Sequence, residues 1–151
     1  LFALIIERYS DSKDYFPALV KKAAVSFELG QMNDARSFLR KAFEVQTKED
    51  SILAEAYLIQ GKINNLLGLL DKAKQDFQQA IQLHPKSRVA SQATIHLSAI
   101  LIQTQEYKSA IDLLEKQIAL TREATSRHTA ARSIPSLPPT LTTITTKPPA
   151  I

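Results

Sequence analysis

Three stretches decide the fold: Ala35-Arg-Ser-Phe-Leu39-Arg-Lys-Ala42-Phe43, Ala73-Lys-Gln-Asp-Phe77-Gln-Gln-Ala80-Ile81 and Ala110-Ile-Asp-Leu-Leu114-Glu-Lys-Gln117-Ile118. Each opens on alanine, carries a large apolar residue four positions on, and an apolar residue four beyond that. That spacing is one face of a helix. The leading alanines are 38 (35 to 73) and 37 (73 to 110) residues apart. A helical phrase recurring at this period belongs to a supersecondary unit that cannot bury its apolar face alone. Stacked neighbours bury it together, which predicts an all-α helical solenoid of antiparallel helix pairs.

Working outward, each phrase is preceded by a second helical pattern and a turn. Pro17 suits the first turn of a helix, and Leu19, Ala23 and Phe27 follow at helical spacing up to Gly30. Gly30 ends that helix, and Asn33 is the expected N-cap of the next. Gly68 occupies the matching turn of the second unit, whose last helix stops at His84-Pro85. The third unit opens after Ser87, and its second helix runs from near Glu106 to at least Arg122. Phe2 lies 37 residues before Leu39, in phase with the array. The expected organisation is therefore the end of an upstream repeat over 1–12, then repeats over 13–49, 50–86 and 87–122. Beyond them, 123–151 reads as a Pro/Thr-rich tail without regular structure. Residues 132–151 hold five of the seven prolines and no acidic residue, and such a segment offers too little patterned apolar surface to offset ordering.

The chain has 151 residues, 44% hydrophobic and 23% charged, with no cysteine. That suits one soluble helical domain and rules out disulfides, thiolate metal sites and cysteine nucleophiles. The +4 charge is not concentrated. All fifteen acidic residues lie at or before Glu123, alongside sixteen of the nineteen Lys and Arg, so the repeats are nearly neutral. No basic stripe with interleaved aromatics appears, which argues against nucleic-acid binding. No apolar run approaches the ~20 residues a membrane helix needs, so no membrane insertion is expected.

The second unit, Tyr57-x-x-Gln60-Gly61-x-x-Asn64 followed by Ala73-x-x-x-Phe77-x-x-Ala80 and Pro85, resembles the tetratricopeptide repeat (TPR) family. Gly61 and Ala73 are small where two helices cross, and Phe77 is large where units meet. The other units match in part: Ala23, Ala35, Leu39 and Ala42 in the first, Leu97, Ser98, Ala110 and Leu114 in the third. Gln117 stands where alanine is usual. The period exceeds the usual 34 by three to four residues, as in bacterial envelope members of the family. Glu7-Arg-Tyr-Ser-Asp-Ser12 also resembles a helix-ending phrase of those proteins, with serine for proline. This points to the bacterial envelope or periplasm ahead of the cytoplasm.

The resemblance implies a protein–protein interaction scaffold whose first helices line a concave groove for a peptide or helix. The positions that carry over are Phe27, with Val20 and Ala24, in the first unit, Leu58, Lys62 and Asn65 in the second, and Ile95 and Ile102, with Ala99, in the third. Lys62 and Asn65 are its only polar points, too few for the family's carboxylate clamp. The alternative is a structural spacer supporting another domain of a longer protein. Nothing in the chain suggests an enzyme or a cofactor. Gly30, Gly61 and Gly68 form no phosphate loop, and the histidines at 84, 96 and 128 lie on separate segments with no metal-ligand spacing.

Overall fold

A computed structural model describes residues 4, 7–8, 12–45 and 49–131, with the side chains of the last helix described to Arg127. Among them are six helices and no strand: α1 (Tyr15–Glu28), α2 (Met32–Glu44), α3 (Asp50–Leu66), α4 (Leu70–Leu83), α5 (Arg88–Gln103) and α6 (Tyr107–Ala131). The three phrases fall in α2, α4 and α6, the second helices of three consecutive antiparallel pairs. The fold is an all-α TPR-like solenoid. Leu4, Glu7 and Arg8 have helical backbone, while most of 1–12 and all of 132–151 lie outside the described residues. The expected boundary at 122 is not a helix end. α6 continues to Ala131, because residues 123–131 contain no proline or glycine and add Ala124, Ala130 and Ala131, strong helix formers.

The turn within each pair is one recurring structure. Gly30 and Gly68 both have φ of 75°, and Gln105, at the same place in the third unit, has φ of 64°. In each, two amides turn back on the helix just ended. Gly30 N donates to Phe27 O and Gln31 N to Ser26 O; Gly68 N and Leu69 N, and Gln105 N and Glu106 N, repeat the pattern. This double bond satisfies carbonyls that the helix leaves free. Because the left-handed residue is followed at once by helix, α2 starts at Met32 with Gln31 as its N-cap. Asn33 therefore lies inside α2 and does not cap it. Between units the device differs: Ser87 caps α5, its Oγ accepting from Ala90 N at 3.1 Å and donating to His84 O at 2.7 Å.

The core forms two clusters that meet in α3. Ala56, Ile59 and Ile63 of α3 pack with Phe16, Leu19, Val20, Ala23, Leu39 and Ala42. From the same helix, Leu58 packs with Phe77, Ala80, Ala93, Leu97 and Ile100. Phe77 has no exposed surface. Its ring lies so close to Gly61 that a Cβ there would come within 2.6 Å of it. The other units pair these columns differently, Ala23 with Leu39 and Ser98 with Leu114. A bare α-carbon goes with phenylalanine, and a short side chain with leucine. Gln117 is also accommodated: it is buried, and its Nε2 donates to Pro85 O at 3.3 Å and Ser91 Oγ at 3.2 Å.

Asp76 is the buried charge of the molecule's centre, 7% exposed. It accepts from Asn64 Nδ2 at 2.6 Å and Gln60 Nε2 at 3.2 Å, tying α4 to α3. Burial pushes its carboxyl above the usual value, against the lowering pull of the Asn64 and Gln60 hydrogen bonds and of Lys72.

Two stability outcomes follow in chemical denaturation. Phe77→Ala should cost about 3 to 5 kcal/mol, as buried aromatic truncations do. Gly61→Ala should cost about 1 to 3 kcal/mol through overpacking, and adding Phe77→Leu should recover part of that loss, a coupling that additive single costs would contradict. Separately, Gln105→Gly should raise stability by about 1 kcal/mol, since it frees a side-chain-bearing residue from the left-handed region. A loss would show that the Gln105 side chain contributes more than its backbone costs.

Candidate interaction surface

The first helices of the pairs are neighbours: α1 packs on α3, and α3 on α5. The second helices stand farther apart: among the described residues no Cα of α2 comes within 8 Å of one in α4, nor one of α4 within 8 Å of one in α6. Inner helices in contact and outer helices splayed give a curved stack with α1, α3 and α5 on its concave side.

Charge and aromatic contacts run across this inner face. Lys21 of α1 pairs with Glu55 of α3 at 2.9 Å. One step along, the Lys62 ammonium of α3 lies 5.8 Å from the centre of the Phe27 ring of α1, a cation–π arrangement. On α5, His96 stacks on the buried Phe77 ring, 5.3 Å between centres and 13° between planes. Burial pushes the His96 imidazole below its usual value, and the Lys62 charge adds to this. Phe27, Lys62 and His96 thus step across the three inner helices. His96 had no sequence signal as a surface residue; only the Phe77 ring beneath it places it.

Repeat-equivalent positions sort the residues expected to line the groove. Phe27, Asn65 and Ile102 occupy one column of the repeat; the first two are half-buried and Ile102 is 50% exposed. Ala24, Lys62 and Ala99 form a second column, also partly open. Val20, Leu58 and Ile95 form a third, and it does not line the groove. Val20 is buried and Leu58 is 4% exposed, each covered by the packing of the next unit. Ile95 is 63% exposed because no described unit stacks on α5 and α6. Leu58 and Ile95 are therefore contact positions between units. The alignment put them in the groove because helical spacing alone does not separate a helix's groove side from its stacking side.

Ile95 instead borders a largely apolar depression of about 480 Å³ on the end of the stack, with Thr94, Leu114, Ile118 and Thr121. Thr94 is buried beside it, and its Oγ1 has no hydrogen-bond partner. The residues equivalent to Thr94, Leu114 and Ile118 are Tyr57, Phe77 and Ile81, which the third unit covers.

Among the described residues, no three His, Asp or Glu side chains converge on a place that could hold a metal ion. No described helix is long and apolar enough to cross a membrane.

The tetratricopeptide repeat profile matches residues 55–87, which contain the Gly61–Phe77 contact and the hydrogen bonds to Asp76. That segment reads as one tetratricopeptide repeat. Solved structures share its fold, two of them described as MamA proteins. One, described as the crystal structure of MamA, superposes with a TM-score of 0.62 at 23% identity over 80% of this chain. The other, a MamA RS-1 ArsTM double mutant, gives 0.64 at 22% identity over 83%. The chain spans 65% of the length of each. No curated protein matches it in sequence.

The stacked His96 makes a pH prediction. Its folded value is depressed, so its contribution to stability is full above the ordinary imidazole range and is lost as pH falls through that range, where the unfolded chain takes up the proton first. Denaturation midpoints measured on the acid side of neutrality should fall with pH, and less steeply in His96→Gln. Parallel curves for the two proteins would remove His96 as the cause.

Proposed function

We propose that this repeat array is a non-enzymatic scaffold that holds a peptide or helix of a partner protein against its concave face. Phe27, Lys62, Asn65 and Ile102 make up the contact set, without Leu58 and Ile95. The carrying observation is the Phe27–Lys62 pair: it joins two units into one surface, and Ile102 on α5 offers an exposed apolar side chain in the same repeat column as Phe27. An extended or amphipathic segment would place apolar side chains against Phe27 and Ile102. A carbonyl or carboxylate of the segment would meet Lys62 and Asn65. Burying about 500 Å² of apolar surface would contribute on the order of 10 kcal/mol gross. Docking and ordering costs reduce this to micromolar-class binding. The exposed Ile95 and Ile118 favour a second reading, in which the units are spacers whose end face seats against another part of a longer protein.

Site-specific photo-crosslinking separates the two. A crosslinker at position 102 should trap a distinct partner in cells, and Lys62→Gln should reduce the yield severalfold. One at position 111, on the outer helix α6, should not trap it. Trapping from position 95 alone, with 102 silent, would favour the spacer reading.

A further inference from the structure

The splaying of the outer helices leaves a cleft that the concave-face reading does not use. α2 and α4 form its walls and α3 its floor, enclosing about 450 Å³. Arg36 and Arg40 line one wall and Lys72 the other, with Gln60 and Asn64 on the floor and Phe43 at the side. Glu44 is the single carboxylate in the lining. Elsewhere Lys21 pairs with Glu55, Lys74 with Glu106 and Lys86 with Glu123. No described carboxylate pairs with Arg36, Arg40 or Lys72 in that way. The cleft therefore holds three cations at low countercharge, with the field of Lys72 already felt by the buried Asp76.

We propose that this outer cleft binds an extended acidic peptide segment of a partner protein, with carboxylates on Arg36 and Arg40 and the Lys72 charge facing them across the cleft. The two arginines are one helical turn apart, four residues at a rise of about 1.5 Å, or about 6 Å along α2. Alternate side chains of an extended peptide repeat at about 6.6 Å, so acidic residues at every second position meet Arg36 and Arg40 in turn. Each guanidinium offers a planar pair of donors that fits one carboxylate. The residue between two acids faces the opposite way, toward the α4 wall, where Lys72 adds its charge to the positive field that the acids meet. Phe43 is half-buried and already packs on Tyr57 at 5.1 Å. It gives an apolar edge for a neighbouring side chain and no open platform for stacked bases. Three cations in a short cleft also make no continuous track for a nucleic-acid backbone.

The test is fluorescence anisotropy on the full chain. The probe is a labelled peptide alternating three glutamates with leucine and phenylalanine, and its all-glutamine counterpart is the control. The glutamate peptide should bind and the glutamine peptide should not. Arg36→Gln with Arg40→Gln should weaken binding about tenfold, the product of two partly exposed ion pairs, and Lys72→Gln should weaken it on its own. These side chains are exposed, and circular dichroism should show the helices unchanged. Lys108→Gln with Lys116→Gln, which removes the same charge from α6, should leave binding within about twofold. An equal loss in that variant would reduce the effect to net charge and overturn the proposal. So would a loss carried by Lys62→Gln with the arginine pair silent, which would put the peptide in the concave groove. No binding of the glutamate peptide, or its displacement by an equal concentration of inorganic phosphate or oligothymidylate, would equally overturn it.

Discussion

The contact between the Phe77 ring and the bare α-carbon of Gly61 is the constraint on which the rest of the array depends. It sets how closely α3 and α4 approach, and so where α3 presents its two sides. One side, through Ala56, Ile59 and Ile63, completes the core of the first pair. The other, through Leu58, joins the core of the second and third. Asn64 and Gln60 hold Asp76 next to Phe77 on the same helix. The apolar contact and the buried carboxylate thus fix one helix pair from adjacent positions, one by shape and one by direction.

A repeat makes equivalent columns, but its packing does not treat them equally. Val20 and Leu58 are core while Ile95 is surface, although all three share one place in the repeat. The difference is the presence or absence of a described neighbour on that side. The column of Phe27, Asn65 and Ile102 follows the same trend, the first two half-buried and Ile102 50% exposed.

Much of the architecture was legible in the sequence because short-range rules govern it. The period, the glycine turns and the large-small columns are local patterns, and the structure places Phe77, Gly61 and the two glycine caps where those patterns put them. Asn33 as a cap was misplaced by two residues, since turn chemistry at Gly30 outranked the side-chain preference for capping. The start of the tail at 123 was set too early, because residues 123–131 carry no proline or glycine and are helical. Leu58 and Ile95 were misassigned because exposure is a property of neighbours. Asp76 did leave a trace: its column holds Phe38 and Leu113 in the other units, so an acid there stands out. The outer cleft had no linear trace, because Arg36 and Lys72 meet only through the splay of α2 and α4.

The left-handed Gln105 gives the array a polarity. In a one-dimensional stack each junction opens with its own free energy, and the chain unzips from its weakest link. The third pair closes over a turn strained by a side chain, where the first two close over glycine. That strain lowers the cost of opening α5 and α6, and opening there takes with it the wall that carries Ile102. A partner lying across all three inner helices would clasp that wall to the other two, so occupancy of the concave face and closure of the last pair become one linked equilibrium.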